Sequence, residues 1–302
     1  MSEQKLEVFN VLNFLNNGYE LEYILKEGQF GTFASADECI NYLVEEGYLE
    51  GDVSLSASQE VTAETISKKY KVSELKDILR ENGLKVSGKK QELVERVLPL
   101  LQGDSSDEDN SYNLELTDKA YEFLKENEWI DLYMFALVAF RFEDYETYVK
   151  TSSLGMIETA LKFCDEITSR ALMANQFLVF IDGLSAKAHV YAYDKDYDSF
   201  LDYDLQRYIL GLNPIVMDAQ TYATYDVINE ANVINLRNVL EKLEMGSLKK
   251  RFDRIWKISN IHNITVPKKS CYKILQRALD GANIEELNFD VKQKYFDKKY
   301  GV

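Results

Sequence analysis

A chain of 302 residues with 46% hydrophobic side chains is long enough for two or three domains with ordinary cores, and its 3 prolines and 14 glycines argue against a long disordered chain. A formal net charge of −16 argues against polyanion binding by the surface as a whole, so any nucleic-acid contact has to be local. The three cysteines, Cys39, Cys164 and Cys271, are odd in number, far apart and without metal-ligand spacing, which speaks against a disulfide framework and for a reducing, cytoplasmic setting.

The opening MSEQKLEVFN has neither the basic head nor the apolar run of a signal peptide. Residues 5–16 carry Leu6, Phe9, Val11, Leu12 and Leu15 at helical spacing, and Asn16-Asn17-Gly18 breaks the pattern. A short helix is predicted over 19–26. Ser35 is placed to cap the next helix, with Glu38 reaching back to it, and that helix buries Cys39, Ile40, Leu43 and Val44 before stopping at Gly47. Tyr48-Leu49-Glu50, a turn at Gly51-Asp52 and Val53-Ser54-Leu55 predict a small hairpin. Three helices and a hairpin outline a winged-helix-like domain over 1–58; a plain helical bundle with an irregular loop fits the same pattern.

After a polar stretch, residues 66–101 hold nine basic and five acidic side chains, a local +4 that leaves −20 on the remainder. Ser73 is the predicted N-cap of a helix carrying Leu75, Ile78 and Leu79, which ends at Asn82-Gly83. An extended link, Lys85-Val86-Ser87, leads to Gly88-Lys89-Lys90, which opens a second helix whose Leu93, Val94 and Val97 face the first. Pro99 marks its end or lies just beyond it. Helix N-termini at Ser73 and Gly88 offer unpaired amides to phosphates, and Gly88 permits close backbone approach. Lys89 and Lys90 add charge, Lys85 and Arg96 flank them, and Lys68, Lys69 and Lys71 widen the footprint. A two-helix packing unit with a solvated lysine-rich loop is the competing reading.

The run VSELKDILRENGLKVSGKKQELVERVLPLL resembles the SAP module, a helix–extended link–helix motif of chromatin and scaffold-attachment proteins. The resemblance rests on the Ser-x-Leu start, Gly83-Leu84, Ser87-Gly88-Lys89-Lys90 and Glu92-Leu93-Val94-x-Arg96, and covers about a tenth of the chain. It implies binding to duplex DNA, commonly AT-rich and with low sequence specificity. It implies nothing about the other residues.

Residues 102–112 read as an acidic linker. Tyr112–Thr117 alternates like a strand and precedes a helix over Asp118–Glu126. These elements open a helical domain over 113–302, or else close the N-terminal domain, with the basic module inserted in the wing. WIDLYMFALVAF (129–140) is too short to span a bilayer and is predicted to be a buried helix. Helix follows helix to the end, with breaks expected at Gly155, Gly183, Gly211 with Pro214, Gly246, Pro267 and Gly281.

Other constellations are weaker. Asp194-x-Asp196-x-Asp198 departs from a calcium loop at Ser199 and Leu205. The acidic, tyrosine-rich 191–204 offers either a surface for a basic partner or ordinary helix ends. Lys250, Arg254 and Lys257 form a second phosphate face or a solvated one. His189 and His262 sit in no catalytic or metal pattern, and no catalytic residue, metal or cofactor is assigned. Low proline with high Asn, Lys, Ile and Tyr usage suits a low-GC bacterial or phage genome. The expectation is a mainly α, multidomain, non-catalytic protein of the cytoplasm that docks on duplex DNA, not on a membrane, with an acidic helical body as platform for an unknown protein partner. The alternative is a phage-type inhibitor of a host nucleic-acid or defence enzyme, acting through its acidic surface.

Overall fold

Helical periodicity governs most of the chain, and the described residues are mainly helical. The structure is a computed structural model and describes residues 2–21, 23–24, 31–54, 66–67, 70–82, 84–103, 111–243 and 248–301. Two compact units are formed, residues 3–127 and 128–302.

In the first unit, helix α1 (Ser2–Asn16) buries Val8, Phe9, Val11 and Leu12. Its Glu7 carboxylate accepts the backbone N–H groups of Gly31 (2.6 Å) and Thr32 (2.9 Å), anchoring the approach to the next helix. Helix α2 (Ala36–Glu45) is capped by Ser35, whose Oγ accepts the Glu38 N–H at 3.1 Å. The reciprocal bond lands one residue earlier than expected: the Glu38 carboxylate accepts the Ala34 N–H at 2.5 Å. Cys39, Ile40 and Leu43 are buried, while Val44 is half-buried.

The predicted local hairpin is absent. Gly51 and Asp52 lie inside one continuous strand, β1 (Leu49–Ser54), with Gly51 at φ +133. This strand pairs antiparallel with β2 (Ser111–Leu116), in register from Leu49 opposite Leu116 to Ser54 opposite Ser111. Between the strands in sequence lie α3 (Val72–Glu81) and α4 (Lys90–Gly103). After β2, Thr117 caps α5 (Asp118–Glu126): its Oγ accepts the Ala120 N–H at 3.3 Å and donates to the Gly47 carbonyl at 2.7 Å. Strand β2 and helix α5 therefore belong with the N-terminal unit, and the basic module is inserted between paired strands. Because Ser54 and Ser111 are Cα partners, the two ends of the insertion leave the ribbon about 5 Å apart.

The second unit opens on α6 (Trp129–Leu132), which runs into a π-helical turn, Tyr133–Leu137. The single buried helix expected here is thus only partly realised. Ile130, Leu132 and Leu137 are buried, but Phe135 is 53% and Val138 65% exposed. The extra residue in a π turn rotates the side chains that follow, so one apolar run serves both the core and the surface.

There follow α7 (Phe142–Thr151), α8 (Met156–Met173), α9 (Phe177–Tyr193), α10 (Tyr197–Leu212), α11 (Ala219–Thr224), α12 (Glu230–Lys242), α13 (Leu248–Ile258), α14 (Lys268–Leu279) and α15 (Ile284–Val291). A second π turn, Lys292–Phe296, and α16 (Asp297–Tyr300) close the unit. One expected break is not a break. Gly183 lies in the middle of α9, where a Cβ would stand 2.5 Å from Thr168 Cγ2 of α8, so it serves close helix packing. The break expected at Gly211 with Pro214 is present: α10 ends at Leu212 with Asn213 as its C-cap, and a Cβ on Gly211 in its last turn would meet the Tyr225 hydroxyl at 2.5 Å. Gly155 and Pro267 do mark helix starts, and Gly281, at φ +92, follows a helix end. Gly246 lies outside the described residues.

Phe200, Leu205 and Ile209 of α10 meet Phe252 of α13 and Leu275 of α14 in the main core of this unit. An ion pair is buried beside them, Arg207 Nε to Asp204 Oδ1 at 2.8 Å. All three cysteines are buried as free thiols. Burial pushes the Cys39 and Cys164 thiols up to about 12, which leaves them protonated and poorly reactive. Among the described residues no helix is long and apolar enough to cross a membrane.

Candidate nucleic-acid interface

Leu75 and Leu79 of α3 meet Leu93, Val94 and Val97 of α4, with Ile66, in a cluster of its own. The five helical members are 0–1% exposed. Two short helices closing on six apolar side chains hold a unit of modest stability, in which each buried group counts.

Helix α3 begins earlier than the sequence predicts. Lys71 occupies the N-cap position, and its backbone N–H donates to the Glu74 carboxylate at 2.6 Å. Ser73 is then the second helical residue rather than the cap, because a carboxylate three residues beyond Lys71 satisfies the first free amide. At the other end the Leu84 N–H reaches back to the Leu79 carbonyl at 2.7 Å, the longer bond of a Schellman turn. Gly83, Lys68 and Lys69 lie outside the described residues.

The link then runs through Lys85, Ser87, Gly88 and Lys89, all exposed. Gly88 sits at φ +140, and a Cβ there would collide with the Glu92 carboxylate and stand 3.2 Å from Arg96 Nη2. The backbone angle calls for glycine, and any other residue would also displace the Glu92 side chain. The Lys89 carbonyl accepts the Leu93 N–H at 3.1 Å, so Lys89 caps α4 and Lys90 is its first helical residue. Pro99 does not end this helix, which continues to Gly103. Proline removes a single N–H in the C-terminal part, and Leu100 still packs on the cluster.

The four cations expected at the phosphate site divide into two kinds. Lys85 and Lys89 are exposed and their side chains make no hydrogen bond or ion pair among the described residues. Lys90 and Arg96 are engaged internally. Lys90 Nζ donates to the Ser67 carbonyl at 2.7 Å. Arg96 Nη1 donates to the carbonyls of Lys85 (2.6 Å) and Ser87 (2.9 Å), and its Nη2 lies 3.7 Å from Glu92 Oε2. Arg96 therefore fixes the link to α4. The result is a short exposed edge on which two free ammonium groups flank Ser87, Gly88 and the first amides of α4, which have no intrahelical acceptor. Oriented amides and flanking positive charge make up an anion-binding surface.

Residues 67–102 match the protein-family model of the SAP domain. The match covers both helices and the link, and it suggests DNA binding. No curated protein matches the chain, and no solved structure does.

Among the remaining sequence candidates, Asp196, Asp198, Asp202 and Arg254 find structural uses. Asp196 caps α10, accepting the Ser199 N–H at 3.1 Å and the Ser199 hydroxyl at 2.6 Å, and these bonds hold its carboxyl below the usual range. Asp198 pairs with Arg251, and Asp202 accepts Arg254 at 2.6 Å. The acidic stretch 191–204 and the basic face of α13 thus partly neutralise each other along one α10–α13 seam. Lys250 and Lys257 remain exposed on that helix.

Proposed function

We propose that this protein docks on duplex DNA through its SAP domain, with the exposed edge from Lys85 to Lys89 and the N-terminus of α4 meeting the phosphate backbone. The observation that carries this is the division of the cations: Arg96 holds the link in place, while Lys85 and Lys89 project from it without internal partners among the described residues. Ser87 and Gly88 complete the contact surface, and the positive end of α4 adds to it. Contacts of this kind read backbone rather than base sequence, which fits low sequence specificity.

The rest of the molecule is read as a non-catalytic, cytoplasmic platform for a protein partner. An inhibitor acting through a free acidic ribbon at 191–204 gains no support, since Asp198 and Asp202 are already paired. The test is fluorescence anisotropy of a labelled duplex against the full chain and its Lys85→Ala/Lys89→Ala variant. The variant is expected to bind more weakly at every salt concentration while melting like the parent. Equal binding would remove the SAP edge from the interface.

A further inference from the structure

A second concentration of positive charge lies in the C-terminal unit. Residues 266–302 hold eight basic and five acidic side chains, +3 in a chain of −16. Helix α14 carries Lys269, Lys273 and Arg277 at successive intervals of four residues, which places them on one face about 6 Å apart along the axis. The π turn Lys292–Phe296 presents Lys294 to the same space. Together they line an open cleft of about 610 Å³, in which Asp290, 3.3 Å from Arg277, is the sole acidic lining residue among the described residues.

Several cations elsewhere in this unit have carboxylate partners, among them Lys187 with Asp165, Arg207 with Asp204, Arg254 with Asp202, Lys268 with Asp253 and Lys292 with Asp226, whereas others such as Lys250 and Lys257 are scattered singly. Lys269, Lys273 and Lys294 are exposed and have no ion pair among the described residues. Like charges gathered in a concave surface focus a positive potential that an anion relieves. The buried side chains lining the cleft, Ile274, Leu287 and Val291, are all apolar. An enclosed small ligand would need convergent buried polar anchors. Exposed cations along an open cleft suit a repeating anion instead.

We propose that this cleft is a second contact for the phosphate backbone of nucleic acid. The proposal extends the DNA-binding reading but rests on a different surface, so the two fail separately. The experiment compares the full chain, its Lys269→Gln/Lys273→Gln/Lys294→Gln variant and its Lys85→Ala/Lys89→Ala variant in salt-titrated anisotropy with a labelled duplex. Glutamine keeps most of each side-chain stem and removes the charge, and matching thermal melts confirm the fold.

The cleft variant is expected to bind more weakly, with the log–log salt slope smaller in magnitude by about 2–3, since each neutralised phosphate contributes about 0.9. A cleft variant that matches the parent in affinity and slope, beside a weakened SAP variant, overturns the cleft and leaves the SAP reading standing. Loss in the cleft variant alone keeps the cleft and removes the SAP edge. A parent chain that fails to bind at low salt overturns both. Displacement of the duplex from the SAP variant by equimolar mononucleotide assigns the cleft to a small phosphate ester and also overturns the backbone proposal.

Discussion

Replacing Arg96 separates a residue that holds the interface from one that touches DNA. Its Nη1 bridges the Lys85 and Ser87 carbonyls at 2.6 and 2.9 Å, across the link from Gly88. A charge-assisted hydrogen bond contributes about 1.5–3 kcal/mol. The Arg96 side chain is 32% exposed, so solvent screening reduces the pair of bonds to about 1–2 kcal/mol in total. Arg96→Ala is therefore expected to raise amide hydrogen exchange across 84–98 by roughly five- to thirty-fold, the factor that such an energy represents. DNA affinity falls with it, because Lys85 and Lys89 are no longer held together, while the salt slope changes by less than about one unit. Arg96→Lys keeps the charge on a shorter side chain that does not span both carbonyls, and it is expected to resemble the alanine variant in exchange. Hydrogen exchange by mass spectrometry and salt-titrated binding on the same preparations decide the matter. If Arg96→Lys equals the parent in both readouts while Arg96→Ala loses a full unit of slope, Arg96 is a phosphate contact and not a strut.

Leu93→Ala deletes a side chain that is 0% exposed in the six-residue cluster, and is expected to destabilise the module by about 2–5 kcal/mol, read as loss of protection in 72–101 with the 128–302 unit unchanged. Lys90→Ala breaks the bond to the Ser67 carbonyl; exchange at 66–71 is expected to rise while the salt slope stays near that of the parent, and a drop of a full unit would reassign Lys90 to the phosphates. Lys249 and Lys268 hold the Asp253 carboxyl below its usual range, at 2.5 and 2.7 Å. A depressed folded-state pKa contributes stability that is complete above the unfolded value and lost as pH falls through the folded one. Melting of the 128–302 unit should thus decline below about pH 4, with a shallower decline in Asp253→Asn; parallel pH profiles would show that the bridge between α13 and α14 carries no stability. Incubation of the full chain with duplex DNA and magnesium or manganese should leave the DNA intact; turnover lost on mutating one specific carboxylate would contradict the non-catalytic reading.

The SAP domain was legible because its signals are local. Leucine spacing in α3 and α4 and the Ser87–Lys90 turn lie within thirty-odd residues, and the cluster they build is the expected one. The ends of α3 were less legible: Ser73 is a good cap by type, but Glu74 satisfies the Lys71 amide first. What depended on distant neighbours was hidden. Alternation marks 112–117 as a strand and allows it to close the N-terminal domain, but its partner is not visible, because the Gly51-Asp52 turn signal presents 48–55 as a hairpin of its own. Gly183 reads as a break because glycine lacks a side chain, and only the approach of Thr168 shows that lack to be a packing requirement. Cations were the hardest to assign. Lys85, Lys89, Lys90 and Arg96 are alike in sequence, and carbonyl positions in the link and at Ser67 separate the free pair from the engaged pair. In α14 the four-residue spacing of Lys269, Lys273 and Arg277 was visible, but Lys294 joins them only through the fold.

The most direct measurement is the affinity of the intact chain for duplex DNA as a function of salt. Two free lysines, the α4 amides and the C-terminal cleft provide contacts for a handful of phosphates, so the log–log slope is expected at about −3 to −5, with little dependence on base sequence. A slope near zero, or no binding at low salt, would contradict DNA docking by this protein.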